Sequence, residues 1–78
     1  MNEGQSPYPN ELNPKEDFVR RLEPLKHRFT PRQWEALVLR NRYGWKNKDV
    51  AKKWGVNTGT ASRHYINAVA HGEWLLRI

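Results

Sequence analysis

The sequence predicts an all-α fold, a small bundle of four to five helices behind a flexible N-terminal leader. Apolar residues recur every three or four positions, and no strand-like alternation runs beyond four residues. Helix-capping patterns recur along the chain, and the chain breakers are segregated. All five prolines fall at or before position 31, and four of the five glycines at or beyond position 44. At 78 residues the chain suits one small domain, and four tryptophans, three tyrosines and two phenylalanines can supply its core. Cysteine is absent, which removes disulfides, zinc–cysteine sites and thiol nucleophiles together. No run of 18 apolar residues exists and the first ten residues are polar, so neither a membrane span nor a signal peptide is expected.

Residues 1–12, with Gly4, Pro7 and Pro9 and no apolar periodicity, are read as the leader, and residues 13–78 as the folded domain. Asn13-Pro14-Lys15-Glu16 has the form of a helix start: an Asn cap, proline at the first helical position and Glu three residues after the cap. Phe18, Val19 and Leu22 give that helix its apolar stripe. Pro24 should end it near Leu22 or Glu23, with Leu25 and Phe29 docking the connection onto the core. The second start is clearer. Thr30 caps, Pro31 follows, Gln33 completes a capping box, and Phe29 with Trp34 forms a hydrophobic staple. This helix is expected to run through Leu37 and Val38 as far as Tyr43, with Gly44 as its left-handed stop. A third helix is expected from Asn47 to Trp54, ended by Gly55. A fourth is capped by Asn57 and starts at Thr58, with Ala61, His64, Tyr65 and Ala68 inward. Gly72 weakens it, so Glu73–Ile78 either continue it or form a short terminal helix.

The third and fourth helices have the spacing of a helix-turn-helix over about residues 47–68. With Asn47 as position one, Val50, Trp54, Val56 and Ala61 take positions four, eight, ten and fifteen, where the two helices bury apolar side chains against each other. Ala51 is small where the helices cross, and Gly55 supplies the turn. Thr58, Gly59, Ser62, Arg63, Ile66 and Asn67 are left on the solvent side of a recognition helix spanning about 58–70, an element that fits the DNA major groove. The competing reading is an αα-hairpin in an unrelated bundle. Charge favours the first. Residues 1–25 carry a net −2 and residues 26–78 a net +8, together the +6 of the chain, which points to a polyanionic partner.

The segment FTPRQWEALVLRNRYGWKNKDVAKKWGVNTGTASRHYINA, about residues 29–68, resembles the DNA-binding domain of LuxR/NarL-type regulators and the related region four of sigma factors. The shared features are the T-P-R-x-x-E opening, L-x-L-R-x-x-x-G before the turn, N-K-x-[VI]-A-x-x-[LW]-G-[VI], and G-T-[VA]-x-x-H. Trp54 stands where the family has leucine and Ala61 where it has valine, and AHGEWLLRI departs from the family's last helix. The resemblance implies a sequence-specific regulator binding double-stranded DNA, of the small kind found in phages and mobile elements. It implies a cytoplasmic, nucleoid-associated location in a bacterium or infected host. Two further roles fit the same scaffold: an RNA polymerase-binding sigma-like or antitermination factor, and a small terminase-type subunit for DNA packaging.

The residues expected to bind DNA are Lys46, Lys48, Thr58, Thr60, Ser62, Arg63 and Asn67. Lys46 and Lys48 place uncompensated cations at a helix start, where the helix dipole disfavours them, and this suits a phosphate partner. Arg32, Lys52 and Lys53 are further phosphate candidates, although the two lysines equally suit a solvated face. Arg63 is expected to grip guanine O6 and N7, with a phosphate as its alternative. Thr58 and Thr60 sit beside free N–H groups at a helix start. His64 is expected to pack inward and hydrogen-bond, Trp34, Trp54 and Tyr65 to be core, and Trp45 suits either the core or the sugar–phosphate edge. Val69, Trp74, Leu75, Leu76 and Ile78 crowd the last ten residues, and a homodimer through Val69, Trp74, Leu75 and Ile78 is expected. No metal or cofactor site and no catalytic motif appears: His27, His64 and His71 lack H-E-x-x-H spacing, and no phosphate-cradling or nucleophile-elbow pattern occurs.

Overall fold

A computed structural model describes residues 14–78; the leader and the Asn13 cap lie outside them. Its helices are α1 (Pro14–Leu22), α2 (Pro31–Leu37), α3 (Asn47–Trp54) and α4 (Thr58–Arg77). A 3-10 segment, Glu23–Arg28, joins α1 to α2, and a π-helical segment, Val38–Arg42, prolongs α2. No strand occurs among the described residues, and the fold is the small all-α bundle that the periodicity predicts.

α1 ends at Leu22, just before Pro24 as expected, and the chain tightens into the 3-10 segment. Leu25 and Phe29 dock it onto the core. At Thr30 the expected capping box is complete. The Thr30 N–H donates to Gln33 Oε1 at 3.1 Å, and the Gln33 N–H returns to Thr30 Oγ1 at 3.1 Å. The staple is present too, with the Phe29 and Trp34 rings 5.6 Å apart.

The expected single helix from Pro31 to Tyr43 is corrected at Val38. There the ladder lengthens to i→i+5, and the Tyr43 N–H reaches the Val38 carbonyl at 3.3 Å. The wider turn buries both Leu39 and Asn41. Buried Asn41 is satisfied because its Oδ1 accepts from the Tyr65 hydroxyl at 2.7 Å. Burial raises the Tyr65 hydroxyl above its ordinary pKa, against the opposing charge of Arg40. Arg40 lies over the Tyr65 ring at 4.7 Å and donates to the Trp45 carbonyl at 2.6 Å.

Two apolar clusters hold the bundle. Val19, Leu22, Phe29, Leu37, Ala68 and Leu75 join α1, α2 and α4. Leu39, Val50, Ala51 and Ala61 fill the junction of α3 and α4, rimmed by Trp45, Trp54 and Val56. Each buried leucine or valine contributes about 1.5–3 kcal/mol. The core is thus aliphatic apart from Phe29, and Trp34, Trp54 and Tyr65, expected as core, are only half-buried at its rim.

At the far end α4 does not break at Gly72. A Cβ there would lie 2.7 Å from Leu22 Cδ1 and 2.9 Å from Phe18 Cζ, so glycine is what lets α1 cross α4. The helix-propensity cost of about 1 kcal/mol is offset by this contact, and α4 continues to Arg77. Beside that crossing the buried Glu16 carboxylate accepts from Arg42 Nε on both oxygens, at 3.2 and 3.1 Å. Arg20 stands 3.8 Å from it, and Arg42 also pairs with Glu23 at 3.7 Å. These charges tie α1 to the π segment.

Candidate nucleic-acid interface

The turn between α3 and α4 is built as its residue types require. Gly55 has φ 74°, its N–H reaches the Lys52 carbonyl at 3.3 Å, and the Val56 N–H reaches that of Ala51 at 3.0 Å. Asn57 then opens α4, its Oδ1 accepting the Thr60 N–H at 2.7 Å. Val50, Ala51 and Ala61 are buried at the helix crossing. The outward face of the first half of α4 is thereby fixed in rotation.

That face presents Thr58, Gly59, Arg63, Ile66 and Asn67 as exposed residues, with Ser62 and Thr60 half-buried at its margins. Ser62, Arg63, Ile66 and Asn67 fall at i, i+1, i+4 and i+5, a stripe about 7.5 Å long on one side of the helix. Lys48 and Lys52 on α3, and Lys46 at its N-cap, are exposed. With Arg63 they are four cations that make no ion pair among the described residues. Six of the seven sequence-derived DNA-binding residues thus lie on α4 or the first turn of α3, and Lys46 directly precedes that turn.

Four expectations need correction. The start of α3 is not uncompensated, because Asp49 Oδ2 accepts the Lys46 N–H at 3.4 Å and puts a carboxylate in the first turn. Lys53 does not stand on a purely solvated face, since its ammonium bonds Glu35 Oε2 at 2.7 Å. The Thr60 N–H is taken by the Asn57 cap, which leaves the N–H groups of Thr58 and Gly59 at the head of α4. The helix expected over about 58–70 runs past residue 70 to Arg77 as one rod, α4.

Glu35 is the residue that sequence reading passed over. Trp54 Nε1 donates to its Oε1 at 3.0 Å while Lys53 holds the other oxygen. The Lys53 hydrogen bond lowers its carboxyl below the usual carboxylate range, outweighing the effect of burial. Arg32 lies over the Trp54 ring at 4.7 Å, and the His64 ring meets it edge-on at 5.5 Å. His64 is inward as expected, but its ring makes no hydrogen bond among the described residues. The signal for Glu35 was Trp54 itself, because an indole N–H at the rim of a core needs an acceptor. Trp45 packs half-buried on the rim of the α3–α4 cluster.

The C-terminal patch is smaller than expected. Leu75 is buried against α1 and Val69 half-buried, which leaves Trp74 and Ile78 exposed. Trp74 stacks on His71 with ring centroids 6.0 Å apart. No helix of the described residues is long and apolar enough to cross a membrane. No group of three His, Cys, Asp or Glu side chains among them is placed to hold a metal. Comparison of the chain with family models, curated proteins and solved structures returns no match.

Proposed function

We propose that the protein is a sequence-specific double-stranded DNA-binding transcription regulator that lays the outward face of α4 in the major groove. The observation that carries this reading is the pairing of a polar stripe, Ser62, Arg63 and Asn67, with the four unpaired cations Lys46, Lys48, Lys52 and Arg63. Side chains on α4 supply base-edge contacts, and lysines at the head of α3 supply phosphate contacts. The N–H groups of Thr58 and Gly59 add a second phosphate position beside them.

The test begins with selection of bound sequences from a random duplex pool. Four phosphate contacts give a slope of log K against log salt of about −3.6. A slope near zero would remove nucleic acid as the partner and leave contact with RNA polymerase, read by pull-down. Arg63→Ala should cost about 1–3 kcal/mol on the selected site and far less on random DNA. Equal losses on both would move Arg63 to a phosphate.

A recognition helix reads about half of a site, and regulators of this size gain specificity by binding two half-sites. Trp74 in the last turn of α4 and Ile78 just past its end are the exposed apolar pair for a second copy. Trp74→Ala should convert a dimer into a folded monomer in sedimentation at micromolar concentration. A wild-type chain that stays monomeric on its selected site would defeat the dimer.

A further inference from the structure

Ile66 is 60% exposed, halfway along the stripe and one turn beyond Arg63. Its neighbours on that stripe, Ser62, Arg63 and Asn67, are polar or charged, and apart from Ile78 at the far end of the domain the other large aliphatic side chains of the described residues lie in the two buried clusters or pack against them. A large branched side chain standing in water amid polar groups costs free energy and serves neither cluster. Resting on the DNA-binding reading, we infer that Ile66 recognises the 5-methyl group of a thymine within the site.

The chemistry of the groove selects that group. Guanine offers acceptors at its major-groove edge, cytosine a donor, and adenine one of each; thymine alone adds an apolar substituent. Isoleucine against a polar edge leaves that edge desolvated without a partner, so the same side chain favours thymine and rejects the other three bases. β-branching holds Ile66 in essentially one χ1 rotamer on a helix, which fixes where the methyl group must lie. Position follows from the rod. Ile66 sits about 4.5 Å along the axis from Arg63. With a base-pair rise of about 3.4 Å, the thymine lies within one or two pairs of the base that Arg63 takes.

The experiment uses the selected duplex and replaces each thymine in turn with deoxyuridine, which keeps every hydrogen-bonding group and removes only the methyl. Wild-type protein should lose roughly fourfold in affinity at one thymine per half-site, the worth of one buried methyl group, and be indifferent at the rest. Ile66→Ala, a change at an exposed helical position that circular dichroism should show to be folded, should bind the deoxyuridine and thymine duplexes equally. Placing 5-methylcytosine against guanine at that pair should restore part of the affinity lost with cytosine. Wild-type indifference at every thymine, or equal sensitivity in Ile66→Ala, overturns the proposal while leaving DNA binding intact. Absence of salt-dependent duplex binding overturns the DNA-binding reading first and this assignment with it.

Discussion

Where α1 meets the π segment, Arg42 holds both oxygens of buried Glu16 and reaches Glu23 as well. At the helix-turn-helix, Lys46, Lys48, Lys52 and Arg63 stand exposed with no acidic partner among the described residues. The chain is rich in cations throughout, yet it uses its acids selectively. Glu16, Glu23 and Glu35 pair with arginines and a lysine that join one element to another, whereas the cations of α3, its cap and the first half of α4, like Arg21, Lys26, Arg28, Arg32 and Arg77 elsewhere, make no ion pair among the described residues, Lys53 excepted. Charge at the first region is internal architecture. At the second, on the proposed function, it meets phosphate, and substitutions in the two regions should therefore fail in different assays.

The largest effect is expected at the first region. Arg42→Ala removes both short hydrogen bonds from the buried Glu16 carboxylate and leaves it the longer pair with Arg20, at 3.8 Å. Removing one member of a buried pair costs about 3 kcal/mol or more, so chemical denaturation should show a sharply lowered midpoint. The salt slope of DNA binding, measured where the variant is still folded, should not move. A changed slope would mean that Arg42 reaches DNA and that the division between the regions is wrong.

Lys48→Ala reverses the pattern. An exposed side chain with no ion pair should alter stability by no more than about 0.5 kcal/mol, while the salt slope should fall by about 0.9. The loss should be the same on selected and random duplexes, because a phosphate carries no sequence information. Lys53→Ala is the sharpening control. It breaks the bond to Glu35, so it should lower stability slightly and leave the slope alone; a slope change equal to that of Lys48→Ala would show that the Glu35 pair opens on DNA.

Legibility in the sequence follows the same division between local and distant causes. The capping box at Thr30, the Asn57 cap, the Gly55 turn and the bounds of α3 rest on residues within four positions of one another, and each was readable. The π segment was not, because it serves Asn41 and Arg42, whose partners Tyr65 and Glu16 are 24 and 26 residues away. Gly72 left two outcomes open for a similar reason. Locally it weakens a helix, but across the bundle it admits Leu22 and Phe18. On the interface, the outward residues of α4 followed from helical spacing. The pairing of Lys53 depended on Glu35, whose position opposite α3 no local pattern announces.

Gly59 gives the smallest expected effect and the one in which the two assays should move in opposite directions. It occupies the first turn of α4, is exposed, and a Cβ there would meet only Asn57 Oδ1, at an ordinary 3.4 Å. The fold therefore accepts alanine, and Gly59→Ala should raise stability by about 0.5 kcal/mol through helix propensity and a less flexible unfolded chain. A phosphate seated on the Thr58 and Gly59 N–H groups has no room for that methyl. Affinity should then fall severalfold on every duplex alike, with the salt slope reduced toward that of Lys48→Ala. A glycine that the fold does not need has then been kept at a stability cost by its partner. If the variant gains stability and binds as wild type, no phosphate lies at the head of α4, and the backbone contacts belong to Lys46, Lys48 and Lys52 alone.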